Sequence, residues 1–103
     1  MAKKVQAKTD RFVVVTTDKD RRGVFGGVFV RKNKAGTSVT LKEAQMAVYW
    51  SSETKGVLGL ASHGPQEGSR ISPPVPQLVV NGVTSIIDCT DVARDKWEAQ
   101  PWA

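Results

Sequence analysis

The chain is predicted to be an α+β domain: a small, strongly bent antiparallel sheet or SH3-like barrel of about five strands, with a short central helical turn and a C-terminal helix. Three observations predict this. Short β-branched runs recur between charged or glycine-containing turns. A glycine pair, Gly26-Gly27, interrupts the second run, as a bend or bulge would. Alternating β-α units, the mark of a parallel doubly wound sheet, are missing. The 103 residues suit one domain with one modest core.

Each element has a local reason. Residues 1–9 are Lys-rich and lack an apolar stretch, so they read as a flexible basic arm before a single domain over 10–103. Arg11–Thr17 (RFVVVTT) is a β-branched run and reads as the first strand. Asp18–Gly23 is a charged turn, Val24–Arg31 the second strand, and Lys32–Gly36 another turn. Thr37–Leu41 reads as a third short strand. The stretch 42–50 is open: KEAQMAV favours helix by composition and VYW favours strand. Residues 55–62 read as a short helix or 3₁₀ turn ending at Gly64-Pro65. Residues 65–74, with Ser, Gly and paired prolines, read as a loop. Pro76–Asn81 and Val83–Asp88 read as two strands joined around Asn81-Gly82. Thr90 is a good N-cap, and Asp91 follows in the first turn, where the helix dipole favours an acid. The helix 91–99 places Ala93 and Trp97 on one side, so Trp97 is expected to pack it onto the sheet; Pro101 ends it.

Composition narrows the function classes. No apolar run approaches the ~20 residues of a membrane helix, and MAKKVQAKTD has no apolar core to serve as a secretory signal. Cys89 is the single cysteine, so no internal disulfide framework exists; it reads as a buried structural thiol. His63 is the single histidine. No nucleophile motif surrounds Cys89, no metal-ligand spacing appears, and neither a Walker loop nor a dinucleotide fingerprint is present. The expectation is a protein that is not an enzyme, with no catalytic residues, no metal and no cofactor.

Net charge is +5, divided unevenly: residues 1–42 carry +8 and residues 43–103 carry −3. The basic half can attract an anion. Alternatively, it can meet the acidic half of another copy. With Trp102 so near the end of the chain, this split predicts a homo-oligomer. The aromatics add a second theme. Along an extended segment Tyr49 faces opposite to Val48 and Trp50, so one ring is left at the surface. It either caps a sheet edge or forms a floor for a base or a protein partner. Cations on turns and element ends, namely Arg21, Arg22, Lys42, Lys55 and Arg70, could hold phosphate beside such a ring. The expected ligand site is therefore Arg21, Arg22, Lys42, Tyr49, Trp50, Lys55, His63 and Arg70, for a nucleotide or another anionic small molecule.

The order of pieces also carries a resemblance. Arg22-Gly23-Val24-Phe25-Gly26-Gly27, then Ala44 leading into Tyr49-Trp50, then Leu60-Ala61-Ser62-His63-Gly64 and a late pair of strands follow one another from about residue 11 to Trp102. This resembles a family of short, uncharacterised proteins encoded by tailed phages and prophages. The chain departs from that pattern at Gln45, where the family has Arg. The resemblance implies a phage context in the cytoplasm of a bacterial host and brings no chemistry with it. In that context the expected function is an accessory protein that counteracts host antiviral defence, by sequestering a nucleotide-like signal or by blocking a defence protein. A nucleic-acid-binding small barrel and a minor virion or assembly protein are the alternatives.

Overall fold

The computed structural model describes residues 11–18 and 23–99. The basic arm, Arg21, Arg22 and Trp102 lie outside the described residues. Six strands form one antiparallel sheet: β1 (Phe12–Thr17), β2 (Val24–Lys32), β3 (Ser38–Tyr49), β4 (Arg70–Ile71), β5 (Val75–Asn81) and β6 (Val83–Asp88). A 3₁₀ turn (Ser52–Thr54) and helix α1 (Gly56–Ser62) separate β3 from β4, and helix α2 (Asp91–Ala99) follows β6.

The α+β class holds, but the closed form does not. The ladders follow an open path, β4-β3-β2-β1-β6, with β5 also on β3. No ladder joins β5 to β6, so the strongly bent sheet or SH3-like barrel of about five strands is corrected to an open, six-stranded sheet that is not strongly curled. Asn81-Gly82 suggested a hairpin, yet only Gly82, at φ +70°, stands between the two strands. A two-residue hairpin loop needs one residue more. β5 instead pairs with β3 (Asn81 opposite Ser38), and β6 pairs with β1 (Ile87 opposite Val14).

The ambiguous stretch 42–50 is strand as far as Tyr49, which makes β3 twelve residues long. Its register against β2 shifts between the Gly26–Gln45 and Val28–Lys42 pairs, and Glu43 takes the left-handed conformation at φ +50°. Glu43 and Ala44 of β3 there oppose Gly27 alone, a bulge on β3 beside the glycine pair. β4 falls inside the expected 65–74 loop. It is held by Ser72, whose N–H donates to the Met46 carbonyl at 2.9 Å and whose hydroxyl accepts from the Met46 N–H at 2.8 Å. Gln45 is buried and donates through Nε2 to the Ser72 carbonyl at 3.2 Å.

β1 has core on both faces. Phe12 and Val14 join Val28, Ala47, Ile71, Leu60, Ala61 and Trp97 in a cluster to which both helices contribute. Val13 and Val15 face a second cluster built from strands alone, around Val39, Leu41, Ala44 and Val80. Trp97 is fully buried, as its spacing from Ala93 predicts. Its ring stands 6.2 Å from that of Phe12, and its Nε1–H donates to the Leu60 carbonyl at 3.0 Å. Gly26 makes room for it: a Cβ there would lie 2.9 Å from three indole carbons. Thr90 caps α2 as expected, its Oγ1 accepting from the Ala93 N–H at 3.0 Å. The same hydroxyl donates to the Ser62 carbonyl at 2.7 Å, tying the start of α2 to the end of α1.

Trp97→Ala should lower unfolding free energy by about 3–5 kcal/mol, the usual range for truncating a buried ring. Gly26→Ala should cost about 1–3 kcal/mol through overpacking against the same indole. Urea unfolding of both variants checks the pair. A Gly26→Ala protein as stable as the parent would show that the indole does not need that slot.

Candidate functional site

The expected ligand residues fall mainly on the segment from Tyr49 to Arg70, and a hydroxyl network holds this segment in shape. Thr54 is fully buried. Its Oγ1 accepts from the Gln66 N–H at 3.1 Å and shares a hydrogen bond with Ser69 Oγ at 3.3 Å. Ser69 Oγ in turn accepts from the Ser51 N–H at 3.1 Å. Gln66 Nε2 donates to the Gly64 carbonyl at 3.0 Å. Two glycines let the pieces close up. A Cβ on Gly59 would fall 1.6 Å from the Thr54 carbonyl oxygen. Gly64, at φ +85°, lies against Ala93 and Lys96 of α2. A left-handed residue, Lys55 at φ +69°, makes the corner between the 3₁₀ turn and α1.

On this frame the candidates separate. Tyr49 and Arg70 are directly opposite on β3 and β4, and both are exposed. Tyr49 keeps 56% of its surface open. Trp50 is half-buried and packs against the first cluster. Trp50 thus goes to the core side and Tyr49 to the surface, one of the two arrangements that extended geometry allowed. Lys55 precedes α1 and His63 follows it, both exposed, with His63 Nδ1 3.1 Å from Ser62 Oγ. Lys42 lies on β3 between Val28 and Gln77, seven residues before Tyr49. Arg21 and Arg22 are outside the described residues. The structure therefore brings Tyr49 and Arg70 together and spreads the other described candidates over the surface around them.

Two clefts are lined by other residues. One, of about 230 Å³, opens over the second cluster and is lined by Phe25, Met46 and Leu78, with Thr17 and Asn81 at its polar rim. Sequence reasoning missed it because its lining comes from four strands, β1, β2, β3 and β5, brought together only by the fold. Met46, partly exposed within an apolar stretch, was the available signal. The other, of about 440 Å³, is lined by Glu53, Gln66 and Glu67. Two carboxylates make it a poor place for an anion.

Cys89 is half-buried beside Phe12, its N–H donating to the Phe12 carbonyl at 2.9 Å. Burial pushes its thiol up to about 12, with the Asp88 carboxylate adding to the rise and the Arg94 guanidinium opposing it. Such a thiol is protonated and unreactive at neutral pH. Among the described residues, no group of three or more His, Cys, Asp or Glu is arranged to hold a metal. No helix among them is long and apolar enough to cross a membrane.

These features define a small α+β domain with an open antiparallel sheet, two short helices on one face, and an exposed aromatic–guanidinium pair at the β3–β4 edge. Residues 10–97 match the model of the family described as Domain of unknown function (DUF6948), and the chain belongs to that family. No curated protein matches the chain, and no solved structure does.

The raised Cys89 pKa has a consequence for stability. Below about pH 9 the thiol is protonated in both folded and unfolded chains, and its contribution is intact. Between about 9 and 12 only the unfolded chain ionises, so stability falls as pH rises through that window. Cys89→Ala should make this decline shallower. Urea unfolding of both proteins across the window measures it, and identical slopes would show that the thiol is not the cause.

Proposed function

We propose that this protein works by binding and not by turnover, and that its ligand is a nucleotide-like anion bearing a planar ring. The observation that supports this is the Tyr49–Arg70 pair: a phenol ring and a guanidinium, both exposed, opposite one another on a two-strand edge. The ring offers a stacking surface, and the guanidinium offers bidentate donors for phosphate. The hydroxyl network around Thr54 and Ser69 holds the segment between β3 and β4, so little ordering is left to the moment of binding.

In the phage setting that the sequence resemblance implies, a protein of this kind counteracts host antiviral defence. It sequesters a nucleotide signal in the cytoplasm of the infected bacterium. Binding energy alone suffices for that task, so no catalytic group is required. The uneven charge of the chain supports assembly of several copies, which would multiply the sites per particle.

Calorimetry against cyclic and linear nucleotides is the test. Wild type should bind at least one of them, and Tyr49→Ala and Arg70→Glu should each weaken it by about tenfold or more, the loss expected for a stacking surface or a phosphate fork. A protein that binds no nucleotide yet still protects phage in infected cells would point to a host protein as the target. Light scattering checks assembly: the expected mass exceeds the 11.2 kDa of one chain, and high salt should reduce it.

A further inference from the structure

The β2–β3 hairpin and its neighbour β5 form a surface of a different kind, away from the Tyr49–Arg70 pair. From Val24 to Lys42, and again from Val75 to Asn81, the chain carries no Asp or Glu. The same stretches carry Arg31, Lys32, Lys34 and Lys42, all exposed. None of these four is in an ion pair among the described residues. Exposed Glu43 follows Lys42 at the β3 bulge, whereas Arg31, Lys32 and Lys34 have no acid next to them in sequence and project one sign of potential.

Register puts two of them on one face. Arg31 is opposite Thr40, which is opposite Val79; Lys42 is opposite Gln77. Thr40 and Lys42 are two residues apart on β3, so these rows lie about 7 Å apart on one side of the sheet. That separation is on the scale of successive phosphates along an extended strand. Exposed Gln77 supplies a neutral hydrogen-bonding group in the Lys42 row, while Thr40 is buried between Arg31 and Val79. Lys34 carries positive charge to the hairpin tip, whereas Lys32, opposite Val39 of the second cluster, belongs to the other side of the sheet. Asn33 fixes that tip: its Oδ1 accepts from the Thr37 N–H at 2.9 Å and the Ser38 N–H at 3.1 Å. The cations therefore ride on an ordered ribbon.

From this arrangement we infer that the β2–β3–β5 face binds the phosphodiester backbone of nucleic acid, without reading its sequence. A protein partner would call for a buried aromatic or aliphatic anchor at the centre of the patch. These rows hold no aromatic side chain, and the exposed apolar residues around them are single valines: Val79 in the Arg31 row, Val75 further along β5 and Val30 beside Arg31 on β2. The same lack of a ring removes the usual platform for base stacking, which leaves backbone charge as the means of recognition.

The test is fluorescence anisotropy with labelled single-stranded DNA and RNA of mixed sequence, each of about 20 nucleotides so as to exceed one domain's site. Binding should be insensitive to base composition and should weaken steeply with salt, linearly on logarithmic axes. Arg31→Glu combined with Lys42→Glu should weaken binding by about tenfold or more at low salt and flatten the salt dependence by about one unit of slope per lost contact. Lys96→Glu, on α2, should leave affinity within about twofold, since it lies outside the face. Thermal melts show whether each variant is folded. Comparing DNA with RNA identifies the source of the backbone. Failure of both to bind at low salt overturns the proposal, as does a double variant that binds like wild type. Equal competition by poly-glutamate overturns it too, in favour of an acidic protein partner. Nucleotide calorimetry at Tyr49 and Arg70 is read separately, so either proposal can fail alone.

Discussion

The placement of one indole organises this fold. Trp97 reaches the sheet only because Gly26 has no side chain, and it reaches α1 through the hydrogen bond to Leu60. A buried tryptophan N–H without an acceptor would be costly, so the Leu60 carbonyl and the ring must be brought together. One residue thereby specifies the position of α2 against β2, and of α1 against α2. Phe12 completes the contact from the central strand, and Arg94 stacks over the Phe12 ring at 5.4 Å. Everything on the helical side of the sheet refers back to this point.

The segment from Tyr49 to Arg70 depends on it indirectly. α1 is only seven residues long, too short to be stable by propensity alone. Its place is secured by the Trp97 bond, by the Thr90–Ser62 bond and by the close approach of Gly59 to Thr54. With α1 set, the Thr54–Ser69–Gln66 network can form, and β4 then meets the end of β3. The Tyr49–Arg70 pair is thus the far end of a chain of contacts that starts in the core.

Local features of this fold were legible in the amino-acid order, and non-local ones were not. The β-branched run at Phe12, the cap at Thr90 and the 93/97 spacing each speak through near neighbours, and each appears in the structure. The end of β3 was ambiguous because its helix-forming residues are overruled by pairing with β2 and β5. β4 was hidden because two residues between a glycine loop and a proline pair carry no periodicity; partners on β3 make them a strand. Asn81-Gly82 was misread because turn chemistry announces a reversal without naming the strand that will receive it. Of the candidate site, alternation left one of two rings for the surface without saying which, and Val48, expected on the other side from Tyr49, is as exposed as Tyr49. The meeting of Tyr49 with Arg70 was not legible, since twenty-one residues separate them in the chain.

Gly82 has a consequence for how the sheet behaves as a mechanical body. It carries the chain from an edge strand on β3 to an edge strand on β1 with no slack. The Val83 N–H donates to the Thr37 carbonyl, and the Gly82 carbonyl accepts from Asp18. Neither edge can slide along its neighbour without dragging the other, so a slip on one side is resisted by ladders on both. In a sheet with long connections the margins fray independently. Here they are coupled like two belts on a single pulley, and the margins should open together or stay closed.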